Sequence, residues 1–331
     1  MREYNVAVVG ATGLVGRKII DILEERNFPV KNFFPMSSFR SAGSKIIFKD
    51  KSYVVEELKN DSFYKDIDIA LFAAGGSISA KYAKIAAENG VEVVDNSSHF
   101  RMDKDVPLIV PEINPNDIKN GYGIYANPNC STIQSVLPLK PIQDKYGIKR
   151  VIYSTYQSVS GSGIGGLKDL DKGTHDKYPF PIEYNVIPHI DDFLDNGYTK
   201  EEMKMINETK KILHDESLRV TATTARVPVK YAHCVSINVE LKRDFEISDI
   251  KNILAEYEGI QLYDDLKTLT YPMPIVAEGK DNVFIGRIRR DISTQNGLSL
   301  WSVGDNIRKG AALNAVQIAE LLIRWILWNL Q

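Results

Sequence analysis

The sequence predicts an α/β protein of two domains, the first a doubly wound parallel sheet and the second an α+β unit with a largely antiparallel sheet. Three observations carry that prediction. Short apolar runs alternate with helical patterns through the first third, at Val6–Val9, Leu14–Glu25, Ile67–Ala74, Ser79–Glu88 and Val91–Asp95, the rhythm of strand-helix-strand units laid side by side. After about residue 150 the pattern changes to longer alternating strands, Arg150–Val159, Leu218–Val229, His233–Lys242, Val283–Arg290 and Leu298–Val303, which favour a sheet covered on one face. The chain has 331 residues, enough for two domains at roughly 100 to 200 residues each.

Between these strands, Lys168 to about Thr199 is a polar, Pro-containing excursion expected on the surface, and Glu201 to His214 is a strongly charged helical pattern. Asp305 to Leu330 opens on a possible cap and carries apolar residues at helical spacing, so one long helix is expected there. Its apolar part, Ala315 to Leu330, is interrupted by Gln317, Glu320, Arg324 and Asn329 and is shorter than the ~20 apolar residues of a spanning helix. It reads as a packing helix, and no membrane partner is expected.

Composition narrows the function classes. The chain is 44% hydrophobic, as a soluble globular protein is, and its formal net charge of −2 points to neither a nucleic acid nor an anionic membrane as partner. Small charged metabolites fit. The two cysteines, Cys130 and Cys234, lie far apart with no CxxC or Cys/His ligand spacing, so neither a metal site nor a disulfide framework is expected, and a reducing compartment is implied. The N-terminus enters an apolar strand almost at once, with no basic and apolar leader before it, and a cytoplasmic location is expected.

Gly10-Ala11-Thr12-Gly13-Leu14-Val15-Gly16 follows the first strand and opens the first helix. Glycines there permit a tight turn and a close approach of backbone to a pyrophosphate, which would sit on the positive end of that helix, as in a Rossmann-like domain. The spacing is GxxGxxG rather than GxGxxG, and a plain strand-to-helix turn is the alternative. No acidic residue stands where an NAD ribose would be held; instead the region after Phe34 offers Ser38, Arg40 and Ser41, hydroxyls and a guanidinium that suit the 2′-phosphate of NADP, or else an ordinary polar loop. Ala74 and Gly75 end another predicted strand, where small residues let a cofactor lie against the backbone or merely make a turn.

Asn127-Pro128-Asn129-Cys130-Ser131-Thr132 precedes the apolar-periodic stretch Ile133 to Tyr146, which puts Cys130 at or near a helix N-terminus. The helix field there favours a thiolate, the nucleophilic form, whereas most cysteines are inert core residues. A thiolate needs an acid/base partner, and spacing alone does not choose among His99, His175, His189, His214 and His233. His233 opens an alternating strand just after Arg226, so a cation and an imidazole come from neighbouring positions of one sheet. The other candidates His175, His189 and His214 lie in polar segments.

These blocks, with Asp95-Asn96-Ser97-Ser98-His99-Phe100-Arg101, Tyr156-Gln157-Ser158-Val159-Ser160-Gly161, Glu201-Glu202-Met203-Lys204 and Gly304-Asp305-Asn306-Ile307-Arg308-Lys309-Gly310-Ala311-Ala312, resemble the aspartate-semialdehyde dehydrogenase family over essentially the whole chain. The resemblance implies a Cys130 nucleophile that forms a thioester, His233 as acid/base catalyst and Gln157 as a positioning group. It implies Arg226 on the substrate α-carboxylate, Glu201 on its α-ammonium, and Arg101 and Lys204 on phosphate. Ser160, Gly161 and Asn306 would lie near the nicotinamide or its ribose.

The resemblance further implies an NADP-binding domain over residues 1–130, a catalytic and dimerisation domain over 131–305, and a C-terminal helix, 306–331, returning to the first. A homodimer or homotetramer in the biosynthesis of lysine, threonine, methionine and diaminopimelate is then expected. Cys234, beside His233, should point to the opposite side of its strand, into the core. N-acetyl-glutamyl-phosphate reductase shares the chemistry but would need no acidic partner for a free ammonium, so Glu201 favours the aspartyl compound. A glyceraldehyde-phosphate type of dehydrogenase differs in its cysteine motif. A non-catalytic NADP-binding protein would not require Cys130, Gln157, Arg226 and His233 together, and a cysteine hydrolase would not require a dinucleotide turn.

Overall fold

The computed structural model describes residues 2–329, in two compact units, Met1–Pro128 with Ala311–Gln331, and Asn129–Gly310. The first unit holds strands β1 (Tyr4–Val9), β2 (Val30–Ser37), β3 (Lys45–Phe48), β4 (Lys51–Val54), β5 (Glu56–Glu57), β6 (Ile69–Phe72), β7 (Glu92–Asp95) and β8 (Ile124–Ala126), with helices α1 (Leu14–Glu25) and α2 (Gly76–Glu88). Six strands form one sheet in the order β5-β2-β1-β6-β7-β8, every ladder parallel, which is the doubly wound arrangement the rhythm predicts. Every residue of β1 is buried, as a strand covered on both faces must be.

Helix α1 turns Ile19, Ile20, Ile22 and Leu23 inward. These pack with Val6, Val8, Ile69 and Leu71 of the sheet and with Leu313, Val316, Ala319 and Leu322 of the C-terminal helix, Leu313–Asn329. That helix starts later than the sequence pattern suggests. Asp305 does act as a cap, its Oδ1 accepting from the amides of Ile307 and Arg308 at 2.9 Å each, but a π-helical turn over Arg308–Ala312 precedes the regular helix. Leu330, the expected helix end, lies outside the described residues. Among the described residues no helix is long and apolar enough to cross a membrane.

The second unit holds α3 (Cys130–Tyr146), β9 (Ile148–Gln157), α4 (Gly163–Lys172), α5 (Lys200–Ile212), β10 (Arg219–Arg226), β11 (His233–Leu241), α6 (Ile247–Ala255), β12 (Ile260–Leu262), α7 (Pro274–Ala277), β13 (Val283–Asp291) and β14 (Gly297–Gly304). Its sheet runs β10-β9-β11-β14-β13-β12. The three central ladders are antiparallel, as expected of a largely antiparallel sheet, and the two outer ones, β9 with β10 and β12 with β13, are parallel. The connection from β9 to β10 passes through α4 and α5 and is long enough to return the chain to the same end of the sheet, and that from β12 to β13 does so through α7.

Helix α3 packs on β9, β11, β13 and β14 and is buried along most of its length despite Pro138 and Pro141 inside it. Pro138 has no amide to offer the carbonyl of Gln134. Ser302 Oγ on β14 donates to that carbonyl at 3.0 Å instead.

The Lys168–Thr199 excursion is less superficial than its polarity suggests. Tyr178, Ile182 and Ile187 form an apolar cluster with Val159. The buried Asp169 carboxylate accepts from Thr174 Oγ1 at 2.7 Å and from the amides of Asp176, Lys177 and Tyr178. Helix α5 likewise buries Glu201, Glu202 and Glu208, although its composition reads as a solvated face.

Candidate active site

Cys130 is the first residue of α3, placed there by its N-cap, Asn129. The Asn129 Oδ1 accepts from the amides of Ser131 at 2.9 Å and Thr132 at 3.2 Å, the capping arrangement Asn favours. Its Nδ2 donates to Glu201 Oε1 at 2.9 Å, and its own amide donates to Glu208 Oε2 at 2.6 Å. Cys130 is partly exposed, and a Cβ added to Gly310 would stand 2.8 Å from the Cys130 Cβ, so the chain passes close over the cysteine only because residue 310 is glycine. The positive end of α3 favours an anion at this sulfur.

Glu201 is the hub of the surrounding network. Gln157 Nε2, from the end of β9, donates to the same Oε1 at 3.2 Å, while Lys204 Nζ lies 3.2 Å from Oε2 and 2.7 Å from Asp191 Oδ2. Burial works to raise the Glu201 carboxyl, but Lys204 and the hydrogen bonds from Asn129 and Gln157 outweigh it and hold the group below the usual carboxylate range. A buried carboxylate with these donors remains charged at neutral pH.

On the other side of Gln157, Arg226 Nη1 donates to the Ser158 carbonyl at 2.7 Å, with its guanidinium carbon 6.0 Å from the centre of the Tyr178 ring. His233 begins β11 and is wholly buried, with the Ser158 amide donating to its Nδ1 at 3.0 Å. Burial, and then the Arg226 charge, hold this imidazole well below its usual range, so it is neutral. Among the described residues His233 Nε2 and Arg226 Nε are buried without a hydrogen-bond partner. The Gly161 backbone lies across both: a Cβ there would stand 2.9 Å from Arg226 Nη1 and 3.3 Å from His233 Nε2. Ser160 Oγ and Asn306 are buried in contact, Asn306 Nδ2 donating at 3.0 Å.

Cys234 alternates away from His233 into a core of Ala232, Ala277, Phe284 and Val303, and burial pushes its thiol up to about 12. His99, His175 and His214 are exposed and His189 is partly so.

In the first unit, Gly10 has φ +83° and a Cβ there would meet the Ala73 carbonyl at 2.6 Å, while a Cβ on Gly16 would stand 2.1 Å from the Gly10 carbonyl. Only glycines let this turn close against the end of β6 and against α1. Gly13 caps α1 and Gly75 caps α2 without any side-chain hydrogen bond, leaving the first amides of both helices open to an anion. Ala11, Thr12, Leu14, Val15 and Ala74 line these two turns, and Thr12 Oγ1 lies 2.9 Å from Ser37 Oγ at the end of β2. Ser38 and Arg40 are exposed just beyond, with Ser41 half-buried. The open helix amides and the small residues of these turns fit the pyrophosphate of a dinucleotide. Arg101 is buried, its Nε donating to the Asn127 carbonyl at 2.9 Å and Nη2 to that of Asn96 at 2.8 Å. No group of three or more candidate metal ligands occurs among the described residues.

Asn129, Ser158, Glu208 and Gly310 are among the residues of this network that carried no role in the sequence reading. Asn129 had a local signal, an Asn directly before an apolar helical run. Ser158, Glu208 and Gly310 had none, because only strand pairing and helix packing bring them to His233, Asn129 and Cys130.

Residues 139–309 match the family model for the semialdehyde dehydrogenase dimerisation domain, and residues 5–121 that for the semialdehyde dehydrogenase NAD binding domain. The chain is 52% identical over 334 residues to the aspartate-semialdehyde dehydrogenase of Aquifex aeolicus, covering 97% of this chain and 98% of that one. Its fold is similar to the crystal structure of aspartate semialdehyde dehydrogenase II from Vibrio cholerae complexed with ASA, with TM-score 0.94 and 46% identity over 98% of this chain and 99% of that one. It is also similar, at TM-score 0.78 and 27% identity over 97% and 98% of the two chains, to aspartate semialdehyde dehydrogenase with NADP from Candida albicans.

Proposed function

The chain belongs to the aspartate-semialdehyde dehydrogenase family, and from that membership we propose that it interconverts L-aspartyl 4-phosphate and L-aspartate 4-semialdehyde, using NADP, through a thioester on Cys130. The observation that carries the reading is the buried network in which one Glu201 oxygen holds both the cap beneath Cys130 and the Gln157 amide. It ties a helix N-terminus bearing a thiol to the strand end beside Arg226 and His233.

In the reductive direction the Cys130 sulfur attacks the carbonyl carbon of the acyl phosphate, the bond from that carbon to the phosphate oxygen breaks, phosphate leaves, and a thioester remains. Gln157 orients the carbonyl, and His233 manages the proton at the reacting oxygen. Arg226 holds the substrate α-carboxylate and Glu201 its α-ammonium, while Lys204 and Arg101 are the phosphate ligands. The Gly10–Val15 turn, Ser38, Arg40, Ser41, Ala74, Gly75, Ser160, Gly161 and Asn306 are assigned to the cofactor. Bound in its reduced form, NADP would supply the two electrons that turn the thioester into the aldehyde and release the thiolate.

On the same reading the unit Met1–Pro128 with Ala311–Gln331 binds the cofactor and Asn129–Gly310 carries catalysis and dimerisation; these bounds lie a few residues from the expected 1–130, 131–305 and 306–331 and put Cys130 with the catalytic residues. The enzyme would work in the cytoplasm, as a homodimer or homotetramer, in lysine, threonine, methionine and diaminopimelate biosynthesis. The test follows NADPH absorbance with L-aspartate 4-semialdehyde and phosphate for wild type and Cys130→Ala. Phosphate-dependent NADPH formation that vanishes in the variant is expected. A folded, NADP-binding wild type that is silent on this substrate and active on the N-acetylglutamyl semialdehyde would overturn the assignment.

A further inference from the structure

Two polar groups, both of Ser158, meet the His233 Nδ1: the main-chain amide donates to it at 3.0 Å, and the hydroxyl lies at 2.9 Å. An amide N–H can only donate, so Nδ1 must accept. A neutral imidazole that accepts at Nδ1 carries its proton on Nε2. Nε2 is the ring atom beside the Gly161 backbone and, among the described residues, has no hydrogen-bond partner although it is buried.

Ser158 is itself held in place. Asn306 Oδ1 accepts from the Ala232 amide at 3.0 Å and lies 3.0 Å from Ser158 Oγ and 3.2 Å from Ser160 Oγ. Because the Ala232 amide can only donate, the carboxamide oxygen must face it, which sets the orientation of the whole group. Ala232 has φ +65°, left-handed backbone that a residue with a side chain rarely adopts, and it directly precedes His233. One side chain thus ties the turn after β9, which supplies the donor, to the strained residue that aims the ring.

We propose that Asn306 and Ser158 are positioning residues that lock His233 in its Nε2–H tautomer, so that in the resting site His233 donates to the reacting oxygen and takes no proton from Cys130. The proposal rests on the reading of Cys130 and His233 as the reacting pair. The Cys130 proton then leaves to solvent before substrate reacts. As the bond from sulfur to the acyl carbon forms, the carbonyl π pair moves onto oxygen, and Nε2–H donates a hydrogen bond to that developing charge, the acid side of the role proposed for His233 above. Burial and the Arg226 charge, which keep the ring neutral, act in the same sense.

Nitrogen–proton correlation spectra of the intact protein with isotope-labelled histidine read each tautomer without turnover. In the Nε2–H form the protonated nitrogen correlates with both carbon-bound ring protons, and the His233 signals are those missing from His233→Gln. We expect Nε2–H in wild type at neutral pH. In Asn306→Ala we expect both tautomers, with kcat lower by roughly ten- to a hundredfold and KM for the semialdehyde within about threefold. Nδ1–H or imidazolium in wild type sinks the proposal, and so does an Asn306→Ala spectrum identical to wild type. Should Asn306→Ala not fold, Asn306→Ser, too short to reach Ser158, is read the same way. A protein that shows the tautomer but is inactive on the semialdehyde would count against the proposed reaction alone.

Discussion

Asn129 does two separable things, and substitution can divide them. As N-cap it satisfies the amides of Ser131 and Thr132, and its Nδ2 gives Glu201 Oε1 one of its donors. Loss of a cap costs about 1 kcal/mol. Loss of a hydrogen bond to a buried carboxylate costs roughly 1.5 to 3 kcal/mol, because the charge stays buried. Asn129→Ala, losing both, should therefore destabilise by about 3 kcal/mol, a large share of the ~5 to 15 kcal/mol typical of a folded domain. Asn129→Ser keeps a capping oxygen but cannot reach Glu201, and should recover about 1 kcal/mol of that loss.

Urea unfolding followed by tryptophan fluorescence measures both variants, and the activity assay runs alongside. Because both leave Glu201 one donor short and loosen its hold on Gln157, we expect kcat/KM to fall in each by roughly tenfold or more at temperatures where they remain folded. Equal stability of Asn129→Ala and Asn129→Ser would refute the cap. Wild-type kcat/KM in both would refute Glu201 as the group that organises the site.

Gly161→Ala places a methyl 2.9 Å from Arg226 Nη1, which is fixed on the Ser158 carbonyl, so kcat/KM should drop roughly ten- to a hundredfold while thermal stability stays near wild type. A fully active Gly161→Ala would show that Arg226 can move without consequence. Burial lifts the Cys234 thiol to about 12, so at mildly alkaline pH it stays protonated, and brief iodoacetamide treatment of the native protein should alkylate Cys130 alone, as read by peptide mass spectrometry. Labelling of Cys234 at a comparable rate would contradict that. Arg40→Ala should raise KM for NADP by roughly ten- to a hundredfold and leave that for NAD nearly unchanged, and equal effects on the two would remove Arg40 from the 2′-phosphate site.

Local pattern accounts for much of this molecule. Leu14–Glu25 is helical over the span its apolar spacing marks, and α3 begins at Cys130 because an Asn cap precedes an apolar run. The first sheet is parallel, as the alternation of strands and helices requires. The second sheet is antiparallel at its centre, as expected, but its two outer parallel pairings were not legible, since a half-covered strand alternates in the same way whether its neighbour runs parallel or antiparallel. The charge of α5 was legible but its orientation was not: Glu201, Glu202 and Glu208 turn inward because Asn129, Gln157 and Thr224 offer them donors from other elements.

The sequence by itself determined which groups were available: a thiol at a helix start, glycines at a nucleotide turn, five imidazoles and a scatter of cations. Only the tertiary structure decided which imidazole was buried beside Arg226 and which nitrogen of it faces Ser158. Periodicity reports which way a side chain faces along its own element. The hydrogen bonds from Gln157 to Glu201, from Ser158 to His233 and from Ser158 to Asn306 span 44, 75 and 148 positions, and those pairings exist only once sheet register and helix packing have brought the elements together.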